Sequence, residues 1–385
     1  MSKNISIIIL VDALGWELLR LMQPSTYVHF KFKTRTILGF SSSAIPTILT
    51  GKLPIEHGRW NLLYRSPQDS PFYWTKPLNI LPDFLLEHGI TRKLINEISK
   101  RLCGAEGYFS SYGVPARHLH LYDVCEKKNI YKPGGIPGST TIIDYLDESD
   151  VPHQVFSYHD ASDQVILDTI ASNRVADGPA VYFAYLAELD AFLHKHVGED
   201  CLVRQKVDWY LQKIDDIVEK AAGTGKDVRV FVFSDHGMTP VTKHYDLIAD
   251  LHKAGIDLEK DCMAAFDSTM ARFWIEPGAV RDRILTVLDH CSAGRILHDD
   301  ELQRLGVYFP DHRYGDIIFL MNPGTLIFPN WFGTYAPKGM HGFHPDDPHS
   351  YGVYMSNVDD YHPDSILDLY DIMKKEIDLQ REKRF

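Results

Sequence analysis

The chain has 385 residues, 44% of them hydrophobic, and a formal charge of −12. That length buries a large core, in one big α/β domain with insertions or in two domains, and excludes a disordered chain. The acidic balance excludes broad binding to a nucleic-acid polymer, whose phosphates require basic surface, so an anionic substrate needs bound cations or a local basic pocket.

Met1-Ser2-Lys3-Asn4 leads into an apolar run at residues 5–11 that Asp12 stops. The run is too short to span a membrane and has no small-residue cleavage site behind it, so the expectation is a soluble, cytoplasmic protein. Similar runs occupy 180–186 and 228–233, each followed within two residues by an acid. Apolar runs without alternation suit strands covered on both faces. Between the last two, Val203, Val207, Leu211, Ile214 and Val218 recur at three- or four-residue steps, which predicts a helix with one buried stripe and a strand-helix-strand crossover. The predicted fold is a doubly wound, mainly parallel α/β sheet. Ligands of such sheets gather beyond the carboxyl ends of the strands, so Asp12, Asp190 and Asp235 are expected to converge there.

Asp12 alone has a plain alternative, a cap on a helix starting near Leu14. Gly39 to Gly51 reads as a turn into a short helix with Ser41 near its amino end; a phosphate there would meet free N–H groups, although from the serines alone a serine N-cap is the preferred reading. Asp190 and His194, four residues apart, can face one metal from a single helical turn, whereas a solvated Asp-His pair is the alternative; His196 aims elsewhere. Asp235-His236-Gly237 ends a wholly apolar strand, and Gly237 is expected to permit a sharp turn that lets adjacent side chains reach one cation. The alternative is an Asp cap beside a bystander His. His341 lies in a glycine-flanked loop, Lys338 to His344, with His344 as a competing ligand. A serine hydroxyl is a poor nucleophile at neutral pH unless a metal lowers its pKa, so Ser41 makes chemical sense only with ions.

Residues 65–137 and 262–335 are richer in aromatics, Pro and Gly and lack the strand-then-acid pattern, which assigns them as insertions or caps within a single catalytic domain over residues 1–385. Tyr64, Phe72, Tyr73 and Trp74 can stack on a base or sugar, but such clusters more often pack a cap on its core. Tyr131 to Gly138 is the clearest loop signal. Gly223-Thr224-Gly225-Lys226 only superficially resembles a phosphate loop, since Asp227 replaces the needed Ser or Thr and Lys220 the first Gly. Five scattered cysteines without a C-x-x-C pair read as reduced thiols, not a disulfide framework or zinc site.

Taken in order, these residues resemble the alkaline phosphatase superfamily, nearest its nucleotide pyrophosphatase and phosphodiesterase branch, over almost the whole chain. In that family the nucleophile stands ten residues before the Gly of a Thr-Gly pair, followed by Pro and His-Gly; here Ser41 precedes Thr50-Gly51, Pro54 and His57-Gly58 at that spacing. The resemblance selects Ser41 over Ser42 and Ser43. It implies that Asp190, His194 and His341 hold one metal, and that Asp12, Asp235 and His236 hold the other with Ser41 beside it. There are two departures. The branch commonly uses threonine as nucleophile, and its phosphate-binding asparagine stands four residues after the Gly of His-Gly, where this chain has Leu62. Asn61, one residue earlier, is the substitute candidate, with a simple loop asparagine as the alternative. The sulfatase pattern is absent, because Ser43 and Ile45 occupy its Pro and Arg places.

The expected activity is two-metal hydrolysis of a small phosphate ester through a covalent intermediate on Ser41, with no nucleic-acid polymer as partner. Oxygen and nitrogen ligands without thiolate suit two Zn²⁺ ions, with Mn²⁺ or Fe compatible. Three other readings use the same residues: a phosphonate hydrolase, a phosphotransferase, and a noncatalytic metal-binding homologue. Phosphate release from phosphonoacetate, product rising with an added alcohol acceptor, and an inactive metal-replete protein would mark them respectively.

Overall fold

The computed structural model of the protein describes residues 4–22, 25–172, 179–223, 225, 227–258, 260–333 and 335–382. Thr224 and Lys226 of the glycine-rich turn, and Met1 to Lys3, lie outside these. Numbered along the chain, the elements that position the site begin with β1 (Asn4–Val11), β2 (Phe30–Thr34), α1 (Ser41–Thr50), α2 (Gly89–Leu102), α3 (Ile142–Glu148), β3 (His153–Phe156) and α4 (Asp163–Ser172). They continue with β4 (Val181–Leu186), α5 (Glu188–His196), α6 (Asp200–Ala222), β5 (Asp227–Phe233), β6 (Met263–Phe266), β7 (Met270–Trp274), β8 (Gly294–Leu297), β9 (Ile317–Met321), β10 (Gly352–Ser356) and α7 (Leu369–Glu382).

The central sheet has the order β2-β10-β5-β1-β4-β3. Strand β1 pairs in parallel with both β4 and β5, and β3 in parallel with β4, while β10 runs antiparallel between β2 and β5. The three apolar runs are thus adjacent central strands, as their lack of alternation predicts. All eight residues of β1 are buried, and they divide between two cores. Ile5, Ile7, Ile9 and Val11 meet α4 and α6 on one face; Ile8 and Leu10 meet α1, α3 and α7 on the other. Each such Ile or Val contributes about 1.5–3 kcal/mol by leaving water, which fixes β1 as the axis of the fold. The predicted helical stripe falls on α6, where Val203, Val207, Leu211, Ile214 and Val218 all lie in the core.

A small polar cluster crosses this packing. Glu376 of α7 is buried, accepts from Ser6 Oγ at 3.1 Å and pairs with Arg229 at 2.7 Å, so α7 is held to β1 and β5 by charge as well as apolar contact.

A third apolar core surrounds a four-stranded antiparallel sheet ordered β6-β7-β9-β8. Residues from 65–137, including Phe72, Phe109 and Tyr122, share it with Phe266, Phe273 and Phe319 from the later stretch. Tyr122 donates to the Ala264 carbonyl at 2.6 Å across that boundary. Tyr64, Phe72 and Trp74 are spent here: Tyr64 donates to Asp123, Phe72 packs on Phe109, and Trp74 donates to Ser99.

Candidate metal and nucleophile centre

The carboxyl ends of β1, β4 and β5 bring the separated acids together. Asp12 follows β1 directly. It caps no helix: the next helical turn starts at Trp16 with Gly15 as its N-cap, so the capping alternative fails. Ala13, immediately after it, sits at φ 62°, a left-handed conformation that costs a residue with a Cβ about 1–3 kcal/mol. The strained turn aims the Ala13 N–H at Asp235 Oδ1, 3.3 Å away.

Gly237 differs from expectation in its reason. Its φ is not positive. A Cβ there would stand 2.2 Å from the His349 carbonyl oxygen, and one on Gly15 would stand 2.7 Å from the Gly237 Cα. The glycine is required because two strand-end loops touch backbone to backbone, which holds Asp12 and Asp235 side by side.

Two groups of three form, each with ligand atoms within 4.8 Å of one another: Asp12, Asp235 and His236, and Asp190, His194 and His341. The first group is wholly buried; Asp190 and His194 of the second are each 20% exposed. Asp190 and His194 lie one turn apart on α5, as their spacing predicts. His341 sits at the end of a short strand, Gly339–Met340, that pairs with Thr239–Pro240, so the segment read as a free loop is pinned by backbone bonds. His236 and His341 stack with ring centroids 3.9 Å apart, which joins the two groups.

The imidazoles are oriented for ligation. His194 Nδ1 lies 2.8 Å from the Gly339 carbonyl and His236 Nδ1 lies 3.0 Å from that of Gly237. Donation to those carbonyls leaves each Nε2 as a lone pair facing the acids. Asp12 Oδ1, Asp190 Oδ1, Asp235 Oδ2 and His341 Nδ1 are buried without any hydrogen-bond partner. One unsatisfied oxygen from each of three aspartates is too costly to leave bare, and divalent cations fit that donor set. His196 and His344 are not part of it: His196 pairs with Glu199, and His344 with Glu301 and Asp346.

Electrostatics separate the groups. Burial pushes the Asp12 carboxyl well up, and the Asp235 and Asp190 charges add to it. Burial also raises Asp235, to about 7. For Asp190 burial acts in the same direction but is outweighed by His194, His341 and His236, which together hold it below the usual carboxylate range. His194 is opposed by burial yet raised to about 9 by Asp190. His341 is lowered, by burial first and His236 second. Asp12 is further fixed by the Tyr185 hydroxyl, which donates to Oδ2 at 2.5 Å.

Ser41 is the first residue of α1, whose N-cap is Phe40, so it is not itself the cap. Its Oγ lies 3.0 Å from His236 Nε2. The sequence around it explains the placement. Gly51 ends α1 at φ 65°, where its N–H reaches the Thr47 carbonyl, and Thr47 Oγ1 meets His57 Nε2 at 3.1 Å. The Thr-Gly and His-Gly pairs therefore brace the helix from behind.

A family model described as Type I phosphodiesterase / nucleotide pyrophosphatase matches residues 7–344. The chain belongs to that family. Among curated proteins no sequence match was found. Among solved structures, murine ectonucleotide pyrophosphatase / phosphodiesterase 5 superposes with a TM-score of 0.65 at 14% identity, over 97% of this chain and 95% of that one. The human counterpart gives 0.65 at 13%, over 97% and 94%. Phosphonoacetate hydrolase from Sinorhizobium meliloti gives 0.60 at 12%, over 98% and 96%. These likenesses carry the fold.

In this phosphodiesterase family member the centre opens on a cavity of about 500 Å³, lined among others by Asp12, Ser41, Asp190, His194 and His341. Asn61 lines it too. It is buried, its Oδ1 has no partner, and its Nδ2 meets only Met270 Sδ at 3.6 Å, so it is not a solvated loop asparagine. Sequence reading missed the outer wall: Tyr108, Tyr112, Tyr131, Tyr158 and Tyr185 line it with Phe332, Asp267 and Glu126. Glu126 is buried there, and burial raises its carboxyl to about 7 against the pull of Arg59. No spacing marks these residues, because they come from segments far apart along the chain, from Tyr108 to Phe332.

Proposed function

We propose that this chain is a two-metal phosphoric ester hydrolase that works through a phosphoseryl-type intermediate on Ser41. The reading is carried by one observation: two groups of metal-binding side chains keep unpartnered buried oxygens on Asp12, Asp235 and Asp190, and a serine hydroxyl at a helix amino end lies 3.0 Å from His236 of one of them. Asp12, Asp235 and His236 would hold one ion beside Ser41, and Asp190, His194 and His341 the other. When bound, two such ions neutralise the ester's charge and make a serine hydroxyl and a water acidic enough to attack at neutral pH.

The side chains divide the remaining work. Ser41 Oγ attacks phosphorus, its proton leaves, and the P–O bond to the alcohol breaks, giving a phosphoserine ester. The Ser43 and Ala44 N–H groups donate to the Phe40 carbonyl, which leaves those of Ser41 and Ser42 to face the phosphoryl oxygens at the positive end of the helix. Asn61 Nδ2 donates to the same oxygens. Water then attacks phosphorus, and the Ser41 Oγ departs and recovers a proton. The Tyr185 hydroxyl keeps Asp12 turned toward the centre throughout.

The substrate class is a small phosphate ester, for which the family and an inactive threonine-to-alanine form of the murine relative, solved in complex with AMP, give support. We assign Zn²⁺ as the metal, and residues 65–137 and 262–335 as the cap that chooses the leaving group. The five cysteines are free thiols, which suits the cytoplasmic location we assign. The deciding experiment is a metal-replete screen on p-nitrophenyl phosphate, bis-p-nitrophenyl phosphate, a nucleotide pyrophosphate and phosphonoacetate. Turnover of the diesters that vanishes in Ser41→Ala is expected. Turnover of phosphonoacetate alone, or none at all with two ions bound, would overturn the reading.

A further inference from the structure

Sixteen large apolar side chains are exposed among the described residues, and nine of them lie between residues 73 and 102. They centre on α2. That helix, Gly-Ile-Thr-Arg-Lys-Leu-Ile-Asn-Glu-Ile-Ser-Lys-Arg-Leu, is turned the wrong way round for a protein in water. It buries Ser99 and Ile95, and engages the protein through Arg92, which donates to the Tyr112 carbonyl, and Asn96, which accepts from the Ser111 N–H at 3.0 Å. Meanwhile Ile90, Leu94, Ile98 and Leu102, spaced every four residues along one stripe, are 41 to 68% exposed. The turn before it leaves Ile80 and Phe84 at 88 and 73% exposed. A contiguous apolar face of this kind marks an interaction surface and not ordinary scatter.

The charge around the stripe identifies the occupant. With Arg92 turned inward and paired with Glu87 at 3.8 Å, Lys93, Lys100 and Arg101 against Glu97 leave α2 an outward charge of +2 (three minus one), on a chain whose total is −12. An apolar stripe bordered by Lys and Arg is the pattern of a helix lying in the plane of a lipid surface, its aliphatic side chains in the headgroup boundary and its cations on anionic headgroups. None of the described helices is long and apolar enough to cross a membrane, so contact is from one side.

We infer that α2 and the turn before it dock this protein on an anionic lipid surface. Arg92 joins the inner side of α2 to Tyr112, and Tyr108 and Tyr112 line the cavity, so the helix that docks is braced on the cavity wall. The inference is independent of the hydrolase reading, because its evidence is an exposed face distant in sequence from every ligand.

The test is cosedimentation of the full chain with vesicles, read as bound protein and not as activity. Binding is expected with equal parts phosphatidylcholine and phosphatidylglycerol, weak binding with phosphatidylcholine alone, and a fall as salt rises. The triple substitution Ile90→Ser, Leu94→Ser, Ile98→Ser changes only exposed positions and should cut binding about tenfold or more. Lys93→Glu with Arg101→Glu should cut it on anionic vesicles. Val165→Ser with Leu202→Ser, exposed elsewhere, should leave it unchanged. Wild-type protein that stays in the supernatant, substituted stripes that bind as before, or a wild-type dimer that the triple substitution makes monomeric without any lipid binding would each overturn the inference. The last outcome would make the face an interface between two copies.

Discussion

The two groups of metal-binding side chains use the same residue types and reach opposite electrostatic solutions. Asp12, Asp235 and His236 sit at strand ends under full burial, which raises both acids; the Asp235 and Asp190 charges push Asp12 further up, and the Asp190 charge does the same to Asp235. Asp190, His194 and His341 line the open cavity, and Asp190 and His194 satisfy each other at 3.3 Å. Both groups keep unpartnered ligand atoms, but the Asp190–His194 pair balances part of the open one, so the buried group depends on an ion more. Ser41 stands against the dependent group, so the same deficit that demands an ion places it beside the nucleophile.

The largest effect that sharpens this contrast is on turnover. Ser41→Ala is expected to lower turnover by about a thousandfold or more while both ions stay bound, since it removes the nucleophile and none of the six other ligands. Asp235→Ala should match the loss of turnover and also lose an ion by elemental analysis. Unchanged turnover in Ser41→Ala would take the serine out of the mechanism.

A second comparison reverses sign between the groups. In protein stripped by a chelator, Asp235→Asn removes mutual repulsion and should raise the melting midpoint by about 2–5 °C. Asp190→Asn deprives the raised His194 of its partner and should lower the midpoint by a similar amount near pH 7, an effect that fades as pH rises through about 9. With metal restored, both substitutions should be destabilising. Two shifts of the same sign in the stripped protein would break the contrast. Smaller again, Asn61→Ala should raise KM about tenfold with the ions retained, the loss of one hydrogen bond to a charged group.

How much of this was legible follows from how each part is built. Asp12 and Asp235 could be read because a fully apolar strand that stops at an acid is unusual, and parallel topology then fixes which end of the sheet they share. Asp190 and His194 were legible from helical spacing. The fold class followed from the same runs, but β10 did not: an antiparallel strand inserted next to β5 leaves no mark that distinguishes Gly352–Ser356 from any short apolar run. The reason for Gly237 was misjudged, since close approach of two loops is a tertiary fact. The tyrosine wall and Glu126 were invisible because residues gathered from distant segments carry no period that points to a cavity, whereas Tyr64, Phe72 and Trp74 pack in the interior, the commoner of the two roles their clustering suggested.

Glu126 extends the contrast to the cavity wall, and its effect is the smallest and most specific. Like Asp12 and Asp235 it is raised by burial, but no ligand group surrounds it to hold an ion. A carboxyl near 7 in the folded chain and near 4.5 in the unfolded one binds its proton more tightly when folded. Its contribution is fully present below about 4.5 and is lost as pH rises through about 7, at most about 3 kcal/mol. Glu126→Gln keeps the shape and removes the ionisation, so the difference in melting midpoint between variant and wild type should grow in the variant's favour from pH 5 to pH 8. Measuring both in chelator cancels the pH dependence of metal binding, and taking the difference cancels every other titrating group. A difference that stays flat across that range would mean the carboxyl is solvated, and the cavity wall would then be open where Glu126 stands.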